Sequence, residues 1–99
     1  MTLMDDIGMM NNYDERKVAQ DVLENGLEVS TAYTTDEGYE TAIINTLGKV
    51  SPVERYYSKD DAVLGHAVWL AFAADGIGKT ITVLVCYQDN WKSIEEKLE

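Results

Sequence analysis

The stretch Ser58–Ala74, SKDDAVLGHAVWLAFAA, restricts the fold more than any other part of the chain. Its helical signals agree from end to end. Ser58 is placed to act as N-cap, and Asp61 three residues on completes a capping box. Asp60 and Asp61 put negative charge on the first turn, where the helix dipole favours it. One stripe runs Ala62, His66, Trp69, Ala73 and a neighbouring one runs Val63, Ala67, Leu70. Together they predict an apolar face wide enough to lie across a sheet, with Gly76 as the stop. Such a helix needs a sheet beneath it, and the flanking sequence supplies one.

Residues 13–33, YDERKVAQDVLENGLEVSTAY, allow two readings. Val18 and Val22, ended by Asn25-Gly26, fit a helix. The same Asn25-Gly26 is also the strongest short hairpin signal. Strict alternation follows it, with Leu27, Val29 and Thr31 on one side and Glu28, Ser30 and Ala32 on the other. The hairpin is the better reading, because the segment after the turn needs a partner. YETAII over 39–44 and VSPVERYY over 50–57 read as strands, with Pro52 marking an edge or a strand start. KTITVLVCY over 79–87 is apolar on both faces, as in the interior of a sheet or under a second layer. Trp91, Ile94 and Leu98 fall at helical spacing behind Asp89 or Asn90 and predict a short C-terminal helix. Residues 1–12 hold four methionines without a steady period and are expected to form a mobile tail, or one that orders only against a neighbour. The expected architecture is α+β: a single domain over 13–99, with an antiparallel meander of about five strands, one long helix across one face and a short C-terminal helix.

The chain carries 18 acids against 8 Lys and Arg, a net charge of −10. The imbalance is uneven: residues 1–40 hold ten acids and two bases, residues 41–99 eight acids and six bases. Direct binding to nucleic acid needs cations to displace counterions from phosphates, and this surface repels phosphate. An anionic membrane is disfavoured for the same reason, and no apolar run approaches the roughly 20 residues of a membrane span. A protein with a basic surface would be attracted instead. The plainer alternative is that the acids only keep a small protein soluble. The first residues, MTLMDDIGMM, lack the basic region of a secretory signal, and a single cysteine, Cys86, fits a reducing compartment.

No catalytic motif emerges. ADGIGKT ends like a phosphate-binding loop, but Ala73 stands where the opening glycine belongs, and a strand rather than a helix follows. It reads as a helix-to-strand turn. His66, the only histidine, lies mid-helix among apolar residues and reads as a packed, hydrogen-bonded side chain without a nucleophile or orienting partner in evident reach. Gly65 beside it costs about 1 kcal/mol against alanine in a helix interior, which points to close backbone contact with the sheet beside a Tyr or Trp ring. One His and one Cys make no tetrahedral metal set, and TTDEGYE over 34–40 lacks the ligand spacing of a calcium loop. No metal or cofactor is expected, and an enzyme is the least favoured class.

YDERKV, the segment Glu28–Thr31 followed by Asp36 and Tyr39-Glu40-Thr41-Ala42, the run Val53-Glu54-Arg55-Tyr56 and the helix SKDDAVLGHAVW occur here in a recurring order. In these features residues 13–74 resemble a family of short proteins encoded by tailed bacteriophages and prophages. There a strand ending in V-E-x-Y meets a helix with an acidic start, an A-x-x-G-H and a following Trp. The resemblance implies a phage origin, hence a place in the host bacterial cytoplasm, and assigns no activity.

Charge and resemblance together give the expected function. It is an accessory protein that binds and inhibits a host protein with a basic surface, such as a nucleic-acid-handling defence nuclease, an anti-CRISPR-like role. The candidate contact residues are Asp14, Glu15, Asp36, Glu37, Glu40 and Trp91. The alternative is a self-associating structural or assembly module, a homodimer built on the C-terminal segment and Trp91.

Overall fold

The computed structural model describes residues 16–35, 38–87 and 90–99. Among these the architecture is α+β. Strands β1 (Lys17–Val22), β2 (Glu28–Thr34), β3 (Gly38–Ile44) and β4 (Val50–Tyr56) form one antiparallel sheet in chain order. Helix α1 (Lys59–Ala74) packs across it, and β5 (Thr80–Tyr87) and β6 (Asn90–Lys97) form a separate two-stranded sheet. The expected mobile tail over 1–12 lies outside the described residues.

The first hairpin settles the ambiguity at 13–33. Leu23 and Leu27 close a three-residue loop, with the Leu27 carbonyl accepting from Leu23 at 2.8 Å and Gly26 at φ +92°. The second hairpin repeats the device between Asn45 and Lys49, with Gly48 at φ +87°. Glycine takes this left-handed conformation without the steric cost other residues meet. Asn25 does more than turn the chain. Its Oδ1 accepts from the Leu27 N–H at 3.0 Å, and its Nδ2 donates to the Ala73 carbonyl at 2.8 Å. The turn of the first hairpin therefore caps the C-terminal end of α1, where carbonyls lack helical partners.

At the other end Ser58 Oγ accepts from the Asp61 N–H at 3.1 Å, as an N-cap should. Ala62, Gly65, His66 and Ala73 are buried against the sheet. Trp69 and Leu70 are half-buried at the rim of the core, and Trp69 meets Phe72 edge to face. Val63 and Ala67, placed by sequence on a second inward stripe, face outward. The inward face is narrower than its spacing suggested. The core joins Leu27, Val29, Ile43 and Val53 of the sheet to Ala73 of the helix and to Ile81, Val83 and Leu98.

Two expectations are corrected. The meander has four strands rather than about five, because β5 does not extend it. β5 pairs along its length with residues 90–97. Those residues form a strand where a short C-terminal helix was expected. The reason is a shared multiple: Ile94 and Leu98 lie four apart, which satisfies both the helical period and the strand period of two. β5 is apolar on both sides and has a ladder to complete, and the antiparallel pairing Val83↔Ile94 and Ile81↔Glu96 completes it. The hairpin is tied to the main sheet by Lys49 Nζ at 2.5 Å from Glu96 Oε2 and by Ser51 Oγ at 3.2 Å from Glu96 Oε1. The ammonium holds the Glu96 carboxyl below its ordinary value.

Candidate functional site

Four of the expected contact residues, Asp14, Glu15, Asp36 and Glu37, lie outside the described residues. Glu40 and Trp91 are described, and they meet on one arginine. Glu40 on β3 stands opposite Arg55 on β4, with its Oε2 3.6 Å from the Arg55 Nε. The Trp91 indole of β6 covers the same guanidinium, whose Cζ lies 3.5 Å from the ring centroid. Glu40 is thus an ion-paired acid whose side chain is only 17% exposed, whereas Trp91 keeps 43% of its surface open. Arg55 is the residue that sequence reasoning passed over. It stands fifteen positions from Glu40 and thirty-six from Trp91, so only the strand register reveals the cluster.

Tyr33 and Tyr39, adjacent across β2 and β3, meet edge to face with centroids 5.0 Å apart. They line a shallow cleft with Arg16, Lys17, Val18 and Lys59. Tyr57, just past β4, is fully exposed. Tyr, Trp and Arg are the side chains that protein interfaces favour, and here they come from the four-stranded sheet and from the β5–β6 hairpin.

Four of the ten acids in residues 1–40 are among the described residues, on the first three strands and the turn of the first hairpin. β1 is an edge strand, and Asp21 and Glu24 on the first hairpin are exposed, with Glu28 hydrogen-bonded to Gln20. A register shift between Lys17 and Ala19 bulges this edge, which bends it away from simple strand addition.

Between sheet and helix runs a continuous polar chain. His66 Nε2 lies 2.8 Å from Asp21 Oδ2, and Nδ1 lies 2.7 Å from Thr31 Oγ1. Thr31 Oγ1 is 2.5 Å from Thr41 Oγ1, and the Tyr56 hydroxyl is 3.0 Å from Thr41 Oγ1 and 3.1 Å from Glu54 Oε1. The Trp69 indole N–H donates to the same Glu54 oxygen at 2.8 Å. In the neutral ring the carboxylate fixes the proton on Nε2 and leaves Nδ1 to accept from Thr31. The carboxylate, imidazole and hydroxyl stand in the order that activates nucleophiles elsewhere. Thr31 and Thr41, however, are fully buried, so neither hydroxyl can meet a substrate in this fold. Sequence placed His66 as a packed, hydrogen-bonded residue, and that is where it sits, but the orienting carboxylate and the hydroxyl that sequence did not reveal are both present, brought to the ring from β1 and β2.

Burial pushes the Tyr56 hydroxyl up from 10.0 to about 12, with the Glu54 carboxylate adding to the effect. The folded protein therefore holds this proton more tightly than the unfolded chain does. Its contribution to stability is intact below pH 10 and is lost as pH rises toward 12. In urea titrations across that window, Tyr56→Phe should lose stability less steeply than the wild type. Identical slopes would show that Tyr56 does not titrate differently in the two states.

Among the described residues no group of three or more His, Cys, Asp or Glu side chains is placed to hold a metal ion. No helix among them is long and apolar enough to cross a membrane. The chain matches no protein-family model, no characterised protein and no solved structure.

Proposed function

We propose that this protein is a binding module: a phage-type accessory protein that engages and inhibits a basic host protein, in the host cytoplasm, through the acidic side of its sheet. The observation that carries the reading is the placement of charge. Ten acids against two bases fall in residues 1–40; four of those acids, Asp21, Glu24, Glu28 and Glu40, are among the described residues, on β1, the turn of the first hairpin, β2 and β3. A concentrated field of one sign steers a partner of the other sign and speeds encounter. Nucleic-acid-handling enzymes present basic grooves, which makes a defence nuclease the natural target class. The inward turn of His66 and both threonines favours binding over catalysis.

The test is association with a purified basic nuclease, followed by interferometry against salt. Binding is expected to weaken steeply as ionic strength rises, and DNA should compete for the same partner. Glu24→Gln, Asp36→Asn and Glu37→Gln combined should slow association about tenfold or more, and Glu24→Gln alone should leave the melting temperature nearly unchanged, because Glu24 is exposed and exposed charges contribute little to folding. Glu40 is left in place, since it holds Arg55. Binding that is equal at low and high salt would overturn the proposal.

A further inference from the structure

We propose that Asn25 is a site of deamidation that the fold holds in check, and that the modified chain loses the clamp between the first hairpin and the end of α1. The sequence carries five asparagines, and Asn25 alone is followed by glycine. That neighbour matters to the chemistry. The backbone nitrogen of residue 26 attacks the Asn25 Cγ, a carbon–nitrogen bond forms, and the side-chain nitrogen leaves as ammonia. Water then opens the resulting succinimide at one of its two carbonyls, giving aspartate or isoaspartate. A side chain at residue 26 would crowd the attack, and glycine has none.

The folded chain restrains both reacting groups. The Gly26 N–H is donated to the Leu23 carbonyl at 3.0 Å, and the attack requires this nitrogen to give up that proton. The side-chain amide is pinned at both of its ends. Its Oδ1 accepts from the Leu27 N–H at 3.0 Å, while Nδ2 donates to the Ala73 carbonyl at 2.8 Å and lies 3.4 Å from that of Ala74. Cγ is therefore not free to turn toward the Gly26 nitrogen until the helix end lets go. The restraint is local. Asn25 is half-buried, and Ala74, Asp75 and Ile77, which share a shallow hollow with it, are exposed. Fraying of the last helical turn frees the amide without unfolding the sheet, and such partial openings cost less than global unfolding.

The product does not fit the place. Aspartate at this position keeps an oxygen for Leu27 but turns a donor into an acceptor facing the Ala73 carbonyl. It also sets a negative charge at the negative end of the helix dipole, beside Asp75 and in a last turn that holds no base. Isoaspartate adds a backbone atom to the turn as well. The turn has little room to bulge toward Thr46, since a Cβ at Gly26 would already lie 2.9 Å from the Thr46 Cγ2. Deamidation is thus a one-way release of α1 from the first hairpin, timed by how often the helix end opens.

Incubation of the full chain at mildly alkaline pH, folded and in urea, followed by peptide mapping by mass, tests this. In urea Asn25 should convert before any other asparagine, and in the folded chain more than about tenfold more slowly. Ala74→Gly, which loosens the last turn, should speed conversion in the folded chain and leave the rate in urea unchanged. Asn25→Asp, the simpler of the two products, should melt several degrees below wild type. It should also melt below Asn25→Ala, which loses the clamp without gaining the charge. Equal rates in the folded and urea-treated chain overturn the proposal, as does earlier conversion of another asparagine in urea. So does an Asn25→Asp variant that melts with the wild type.

Discussion

Gly65→Ala is expected to destabilise the protein by about 3 kcal/mol, although alanine is the better helix former by about 1 kcal/mol. The reason is the Tyr56 ring. A Cβ added at residue 65 would lie inside the van der Waals envelope of the Tyr56 hydroxyl, Cζ and Cε1. The ring cannot simply swing away, because its hydroxyl is held by Thr41 and Glu54. Either the helix lifts from the sheet or Tyr56 leaves its site and those bonds are lost. For a chain of this size 1 kcal/mol shifts the melting temperature by roughly 4–8 °C, so the loss should be unmistakable in a thermal scan. The companion variant is Tyr56→Ala, which removes the obstacle. In a double-mutant cycle the two losses should be far from additive, since alanine at 65 is tolerated once the ring is gone. A Gly65→Ala protein that melts at or above the wild-type temperature would show that the helix rides higher on the sheet than described.

His66→Ala is the second large effect, expected at about 3 kcal/mol. It removes the side chain of a residue that is only 4% exposed, and it strips the buried Thr31–Thr41 pair of the group that joins it to Asp21. The cost has two parts, a cavity and hydroxyls left short of a partner. Thr31→Val separates them, because it keeps the volume and removes only the hydrogen bond, and it should cost about 1–3 kcal/mol. Urea midpoints at unchanged m-value would report both. A His66→Ala variant within a few tenths of a kcal/mol of wild type would show that the site collapses without penalty.

The parts of this fold that were legible in the sequence are those fixed by local chemistry. Ser58 and Asp61 announced the helix start, Asn25-Gly26 the first hairpin, and Gly65 a close approach to an aromatic ring. Each depends on residues within a few positions, or on a residue type that has one strong use. The second sheet was not legible, because Ile94 and Leu98 satisfy two periods at once and only β5, needing a ladder partner, decides between them. The Glu40–Arg55–Trp91 cluster was hidden for a related reason. Its members sit on three strands, and their meeting depends on register and on how the β5–β6 hairpin lies against the four-stranded sheet. The open side of α1 was obscured by the helix itself. With apolar residues all round, its sequence shows that a face must be buried and does not show which half.

Among the described residues every hydrogen-bonded strand pair joins neighbours along the chain: β1 with β2, β2 with β3, β3 with β4, β5 with β6. None of these ladders has to wait for a distant segment to arrive. Closing short loops costs little chain entropy and takes well under a millisecond, so each hairpin can find its register independently and early. What remains is to bring finished pieces together, with α1 and the β5–β6 hairpin settling on the four-stranded sheet through side chains such as Ile81, Val83 and Leu98. The barrier to folding is then expected to lie in expelling water from between preformed layers rather than in pairing strands. On that view, substitutions in this shared core change the folding rate, whereas those at the hairpin turns act chiefly on which register forms first.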